Sequence, residues 1–332
     1  MWRSFTRLLA LLLFAVVILS AWTAWGAFSP TPMAASPQAF SIAPGSSLRS
    51  ATRQMIQAGV HLSAWQFNLL ARVTAHVTDI KAGSYEVSEG ATPWDILGKI
   101  TRGDFSQSEI VLIEGWNFRQ IRSALHEHPD LRHESDALGD EEIMSRLGSP
   151  GVRPEGWFFP DTYLFAKGES DMSVLARAHQ AMQRQLQTAW AQRSPGLPLR
   201  SPFEALILAS IVEKETGRSE DRSMIAGVFV NRLRAGMRLQ TDPTVIYGLG
   251  SKFDGNLRKR DLLADHPFNT YMRDGLPPWP IAMPGQAALK AALVPANTDA
   301  FYFVARGDGS SAFSRTLQEH NRAVAKFQLK HQ

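Results

Sequence analysis

Two glutamates, Glu213 and Glu215, close the apolar run Leu206-Ile-Leu-Ala-Ser-Ile-Val212 and lie two residues apart. At roughly 100° per residue in a helix they point to nearly opposite sides. Glu215 continues the stripe of Ile207, Leu208 and Ile211, with Phe203 at its edge, whereas Glu213 projects from the side of Leu206, Ala209 and Ser210. A carboxyl on a buried stripe resists ionising, because desolvation penalises its charged form. It then stays protonated near neutral pH and can give a proton to a leaving group. Spacing alone leaves a second reading open, a helix-end glutamate whose tip reaches water or pairs with Lys214 or Arg218.

The elements that must position these carboxyls follow from cap and breaker signals. Ser201-Pro-Phe-Glu204 supplies a cap, a first-turn proline and a capping-box glutamate in order. Gly217 is expected to end the helix, and a second helix from about 220 to 234 stops at Gly236. Beyond it the chain reads as three turn-rich loops over 238–244, 266–271 and 275–281. Gln240, Thr241, Asp242, Asn269, Thr270 and Tyr271 offer donors and acceptors there. Phe268 and Trp279, with Trp157 and Phe158 from an earlier aromatic segment, offer flat faces for a pyranose ring. A few convergent polar groups in an apolar cleft are the usual form of a ligand site. The alternative is that these aromatics pack a long ordered loop.

The chain of 332 residues has 44% hydrophobic and 20% charged residues, room for about two domains. Residues 8–28 carry no charge and reach the ~20 residues that span a bilayer. Arg3 and Arg7 precede this run, which places residues 1–7 in the cytoplasm. Trp2, Trp22 and Trp25 flank it. Its length favours an uncleaved anchor over a cleaved signal peptide with small residues near 24–27. The rest of the chain then lies outside the cytoplasm, and zero cysteines fit that location. A net charge of +4, spread along the chain, shows no basic-aromatic array for nucleic acid. No cofactor motif stands out. His126, His128 and His133 sit in a charged stretch that does not argue for a metal.

Residues 29–48 are rich in Pro, Ser and Ala and read as a tether. A helical stretch over 49–78 follows, then a strand at 81–87, a helix at 92–100 capped by Thr92, and a strand at 108–114. Residues 117–148 read as helical, 154–163 as an aromatic turn segment, and 171–190 as a helix. The end is a strand at 301–304 and a polar helix. The fold class expected is α+β: a membrane anchor helix, a small α/β module over 49–113, and a mainly helical domain with short strands over 114–330.

As a set, several runs resemble the endolytic murein transglycosylases, the YceG-like proteins. They are Lys81-Ala-Gly-Ser-Tyr85, Pro154-Glu-Gly-Trp-Phe-Phe-Pro-Asp-Thr-Tyr163, Ile211-Val-Glu-Lys-Glu-Thr216, Leu239-Gln-Thr-Asp-Pro-Thr-Val-Ile-Tyr-Gly248, Asn269-Thr-Tyr271 and Gly275-Leu-Pro-Pro278. The resemblance implies a single-pass inner-membrane protein with a LysM-like module before a periplasmic catalytic domain. It implies cleavage of the MurNAc-GlcNAc β-1,4 bond of nascent peptidoglycan strands, with 1,6-anhydro-MurNAc ends. Glu215 matches the family's catalytic glutamate and would be the general acid and base. Gln240, Asn269 and Tyr271 would orient the sugar, with Thr241, Asp242 and Trp157 beside them, and cell-wall synthases would be partners. Glu213 is assigned to structure, paired with an arginine or holding backbone. Met283 and Phe268 depart from residues frequent in the family. Two alternatives stand: a muramidase-type hydrolase using Asp242 or Glu155 as second carboxylate, and a non-catalytic peptidoglycan-binding scaffold.

Overall fold

The computed structural model describes residues 13–14, 17–18, 21–22 and 24–328. They divide into two compact units, one of residues up to 108 together with 164–168, the other of 109–163 and 169 onward.

In the first unit, strand β1 (Gln38–Ile42) and helices α1 (Leu48–Gln57) and α2 (Ala64–Val73) precede β2 (Gly83–Val87) and α3 (Pro93–Arg102). β1 and β2 pair antiparallel from Gln38 opposite Val87 to Ile42 opposite Gly83. Phe40, Ile42, Met55, Phe67, Tyr85, Ile96 and Ile100 form the core. Thr92 caps α3, accepting from the Asp95 amide at 3.2 Å while Asp95 accepts from the Thr92 amide at 3.0 Å. The stretch expected as a tether over 29–48 contains the strand β1. Phe40 and Ile42 alternate inward, a period-two signal obscured by the surrounding Pro and Ser. The helical stretch expected over 49–78 is two helices, because Gly59 takes a left-handed φ of 98° and Val60 bridges to Met33.

Residues 1–7 and much of the span expected over 8–28 lie outside the described residues. The described positions from 13 to 28 are helical. Among the described residues no helix is long and apolar enough to cross a membrane.

The chain passes between the units within β3 (Gln107–Val111) and β5 (Thr162–Ala166). The second unit contains α4 (Phe118–Glu127), β4 (Leu131–Arg132), α5 (Asp140–Arg146), β6 (Glu169–Ser170), α6 (Asp171–Ala191), α7 (Pro202–Glu215), α8 (Ser219–Arg234), α9 (Asp242–Leu249), α10 (Lys259–Leu263), α11 (Gln286–Leu293), the hairpin β7 (Tyr302–Ala305) and β8 (Ser311–Ser314), and α12 (Leu317–Phe327). The helical stretch expected over 117–148 is α4 and α5 with β4 between them. Mixed helices and small separate sheets make the fold α+β.

Helix α7 runs through the centre of this unit. Every residue from Ala205 to Val212 is buried, against α6, α8 and α11. It therefore has no exposed face for an amphipathic stripe to define, as befits a helix apolar all round. Each buried Leu or Ile contributes about 1.5–3 kcal/mol, so this helix is a firmly seated frame for what lies at its end. Its first turn is half a capping box. Ser201 accepts from the Glu204 amide at 3.2 Å, but the Glu204 carboxylate turns to Arg200. The helix does not end on a left-handed Gly217. Thr216 is extended, at φ −148° and ψ 135°, and carries the chain straight away from Glu215.

Candidate active site

Glu215 is the last residue of α7, so its side chain leaves the core at the helix end. The expected partners Lys214 and Arg218 turn elsewhere: Lys214 Nζ donates to the Gly115 carbonyl at 3.2 Å, and Arg218 lies 3.6 Å from Glu220. The Thr241 hydroxyl instead donates to Glu215 Oε1. Burial pushes the Glu215 carboxyl up to about 7 from an ordinary 4.5, and the Asp242 charge adds to the rise. The Thr241 hydrogen bond and Arg232 oppose it. The group can thus hold or release a proton near neutral pH.

Thr241 is held in place from three sides. Its amide donates to Thr270 Oγ1 at 3.1 Å, and its carbonyl accepts from Thr244 Oγ1 at 2.7 Å. Thr244 and Thr270 share a hydroxyl contact at 2.9 Å. Immediately before it, Gln240 has a left-handed φ of 50°, uncommon for a residue with a Cβ. The Gln240 amide donates to the Thr270 carbonyl at 3.1 Å, and its side chain is exposed at the rim. Immediately after it, Asp242 starts α9 with Pro243 in the first turn, so the stretch read as a loop is a helix start. Tyr271 donates its hydroxyl to Asp242 Oδ1 at 2.5 Å; burial, then Asp242, raises its own pKa.

Behind these residues lies Arg232, buried in the last turn of α8. Its guanidinium donates to the carbonyls of Phe301 at 2.7 Å and Leu239 at 2.8 Å, fixing the segment that leads into Gln240. The guanidinium also lies over the Tyr302 ring, 5.2 Å from its centroid. The sequence reading missed Arg232. Its signal was an arginine between Val230 and Leu233, where α8 otherwise turns apolar residues inward.

Glu213 does both tasks assigned to it. Oε2 accepts from the Gly285 amide at 2.9 Å, and Oε1 lies 3.7 Å from Arg222, within the buried end of the helix. Burial and the nearby Glu114 raise its pKa, but its oxygens hold the chain before α11 in place.

Glu215, Gln240, Thr241, Asp242 and Tyr271 come together. The side chains of two other expected sugar contacts, Asn269 and Trp157, are engaged elsewhere. Asn269 is 1% exposed, and its side-chain amide donates to the carbonyls of Asp261, Leu262 and Ala264 at 3.2, 3.0 and 2.7 Å, closing the end of α10. Trp157 stacks on Phe203 at 6.1 Å and 7°. Phe203 is in the first turn of α7, twelve residues and ~18 Å along the axis from Glu215. The aromatics expected to present flat faces are also committed: Phe158 stacks on Phe118 and Phe268 packs edge-on to Trp279, both inside the core.

The alternative second carboxylates have different surroundings. Asp242 is exposed and bonded to Tyr271. Glu155 is 8% exposed, and burial raises its carboxyl to about 7. It accepts from the Phe118 amide and from the Tyr247 hydroxyl, each at 3.0 Å. Glu155 and Tyr247 line a cleft of about 1520 Å³ with Arg153, Lys214, His266 and Trp279, a lining that does not include Glu215.

A family model described as the YceG-like family matches residues 40–326. A protein of Bacillus subtilis named endolytic murein transglycosylase is 33% identical over 264 residues, covering 74% of this chain and 73% of that one. A protein of the same name from Streptococcus pneumoniae is 26% identical over 317 residues, covering 85% of this chain; the chain spans 57% of that longer relative. A crystal structure of a YceG-like protein of Listeria monocytogenes superposes with a TM-score of 0.56 at 30% identity, covering 86% of this chain and 97% of the other.

Proposed function

We propose, because this chain belongs to the YceG-like family, that it is a peptidoglycan lytic transglycosylase acting outside the cytoplasm. It cleaves the β-1,4 bond between N-acetylmuramic acid and N-acetylglucosamine within glycan strands. The observation that carries this reading is the carboxyl of Glu215, at the end of a helix buried from Ala205 to Val212 and raised to about 7.

Protonated Glu215 gives its proton to the glycosidic oxygen as the bond to the muramyl C1 breaks, which frees the 4-hydroxyl of the departing sugar. Positive charge develops at C1 and its ring oxygen. The Glu215 carboxylate then takes the proton of the same muramyl unit's C6 hydroxyl, whose oxygen bonds to C1 and closes a 1,6-anhydro ring. The carboxyl ends as it began, and no water is consumed. A pKa near 7 suits both halves, because the group must give a proton and recover one within a turnover. Thr241 orients the carboxyl. Gln240, Asp242 and Tyr271, at the rim, orient the sugar or its N-acetyl group.

Residues 8–28 anchor the chain in the inner membrane with residues 1–7 in the cytoplasm. The module within 49–113 is LysM-like and binds glycan, and cell-wall synthases supply the nascent strands. The reading is tested by incubating the membrane-reconstituted protein with glycan strands, beside Glu215→Gln, and sizing the products. The wild type should cut within strands and the variant should lose at least a hundredfold in rate. A variant that retained most of the rate would place the acid elsewhere.

A further inference from the structure

Helix α2 turns Phe67 and Ala71 into the first unit's core, yet its outer face is apolar as well. Trp65, Leu69 and Val73 recur every four residues and so stack along one side. They are 50%, 38% and 78% exposed. Arg72, also exposed, flanks the last turn of this stripe. Trp94, in the first turn of α3, is exposed too.

The segment at 22–28 links these residues. Trp22 lies against Trp65 with ring centroids 5.2 Å apart, and Phe28 lies against Trp94 at 5.7 Å. Trp25 is 76% exposed beside them. The apolar face is therefore continuous with the outer end of the charge-free run 8–28. Trp22 and Trp65 meet on it and Trp94 meets Phe28, and the indole favours the headgroup level of a bilayer because one edge is polar and the body apolar. An exposed apolar area of this kind marks an interaction surface.

We propose that this face of the first unit lies in the headgroup and upper acyl region of the membrane that holds the anchor. Trp65, Leu69, Val73 and Trp94 enter the lipid beside Trp22 and Trp25, and Arg72 meets the lipid phosphates. The inference rests on the reading of 8–28 as an anchor. It makes the unit a membrane-seated base instead of a module swinging on a tether.

The chain has no cysteine, so single cysteines placed in the full-length protein can each carry one spin label. Leu69→Cys and Val73→Cys are compared with Gln187→Cys, exposed on α6 of the other unit, after reconstitution into phosphatidylethanolamine-phosphatidylglycerol liposomes. Labels at 69 and 73 should collide more with oxygen, which partitions into lipid, than with a water-soluble nickel chelate, while the label at 187 shows the reverse. If the liposomes carry the protein but labels at 69 and 73 report water, the docking is overturned and the anchor stands. Protein that fails to float with liposomes overturns the anchor and the docking together. Either result leaves the Glu215 chemistry to be judged separately by strand cleavage.

Discussion

The hydroxyl of Thr241 donates directly to the carboxylate of Glu215, joining the end of α7 to the start of α9. A donor to a carboxylate favours its charged form, so this bond limits how far burial raises the acid. The bond therefore works against burial in setting the pH at which Glu215 holds its proton, with the Asp242 and Arg232 charges acting in opposite directions beside it.

Thr241→Val keeps the shape of this buried side chain and removes the donor. The Glu215 pKa should then rise further, moving the alkaline limb of kcat/KM upward by roughly one pH unit. A pH-rate profile of both proteins on one strand substrate checks this. A limb that stays in place would mean that the hydrogen bond does not control the acid.

Glu155 should govern stability, not product chemistry. Its folded pKa of about 7 lies above the ordinary 4.5, so between those values the folded state keeps a proton that the unfolded chain has released. Stability from this group is fully present below pH 4.5 and is lost as pH rises through 7, on the order of 3 kcal/mol at most. Glu155→Gln, neutral throughout, should flatten that decline in denaturant melts between pH 5 and 8. Its cleavage products should match those of the wild type. Reducing ends from the wild type that disappear in Glu155→Gln would make Glu155 a catalytic carboxylate.

Gln240 and Asn269 should separate binding from architecture. Gln240→Gly relieves a left-handed backbone and should leave stability unchanged or raise it by up to about 1 kcal/mol, while KM rises. Asn269→Ala orphans backbone carbonyls at the end of α10 and should cost about 1–3 kcal/mol in a urea melt. A stable Asn269→Ala protein with a raised KM would return that residue to the substrate.

Arg232→Lys keeps the charge and loses the planar fork that reaches Phe301 and Leu239 at once. The segment before Gln240 should loosen, lowering stability by about 2 kcal/mol or more and kcat with it. Hydrogen exchange of the 238–241 amides, faster in the variant, would locate the effect. Unchanged exchange would detach Arg232 from the site.

Much of this site was legible in the chain because its signals are local. A carboxylate ending an apolar run, a proline after Asp242, and a cluster of Thr and Asp need no partner to be noticed. The strand β2 and the caps of α3 and α7 were readable for the same reason. What could not be read were tertiary commitments. Asn269 looks like a sugar ligand, yet its side-chain amide is spent on three carbonyls at the end of α10, and Trp157 looks like a free platform, yet its ring stacks on Phe203. β1 was hidden because five alternating residues sit in a Pro- and Ser-rich neighbourhood and need β2 to become a sheet. The wheel placed Glu215 on a stripe, but α7 is buried all round, so the helix end, not a helix face, brings Glu215 to Thr241.

In the proposed mechanism Glu215 drives attack by the substrate's own hydroxyl with no water consumed. Digestion of purified glycan strands in water enriched with oxygen-18, followed by mass spectrometry of the new ends, tests it most directly. The expected result is 1,6-anhydro-muramyl ends free of the label, formed by the wild type and absent with Glu215→Gln. New reducing ends carrying oxygen-18 at C1 would contradict it and make the protein a hydrolase.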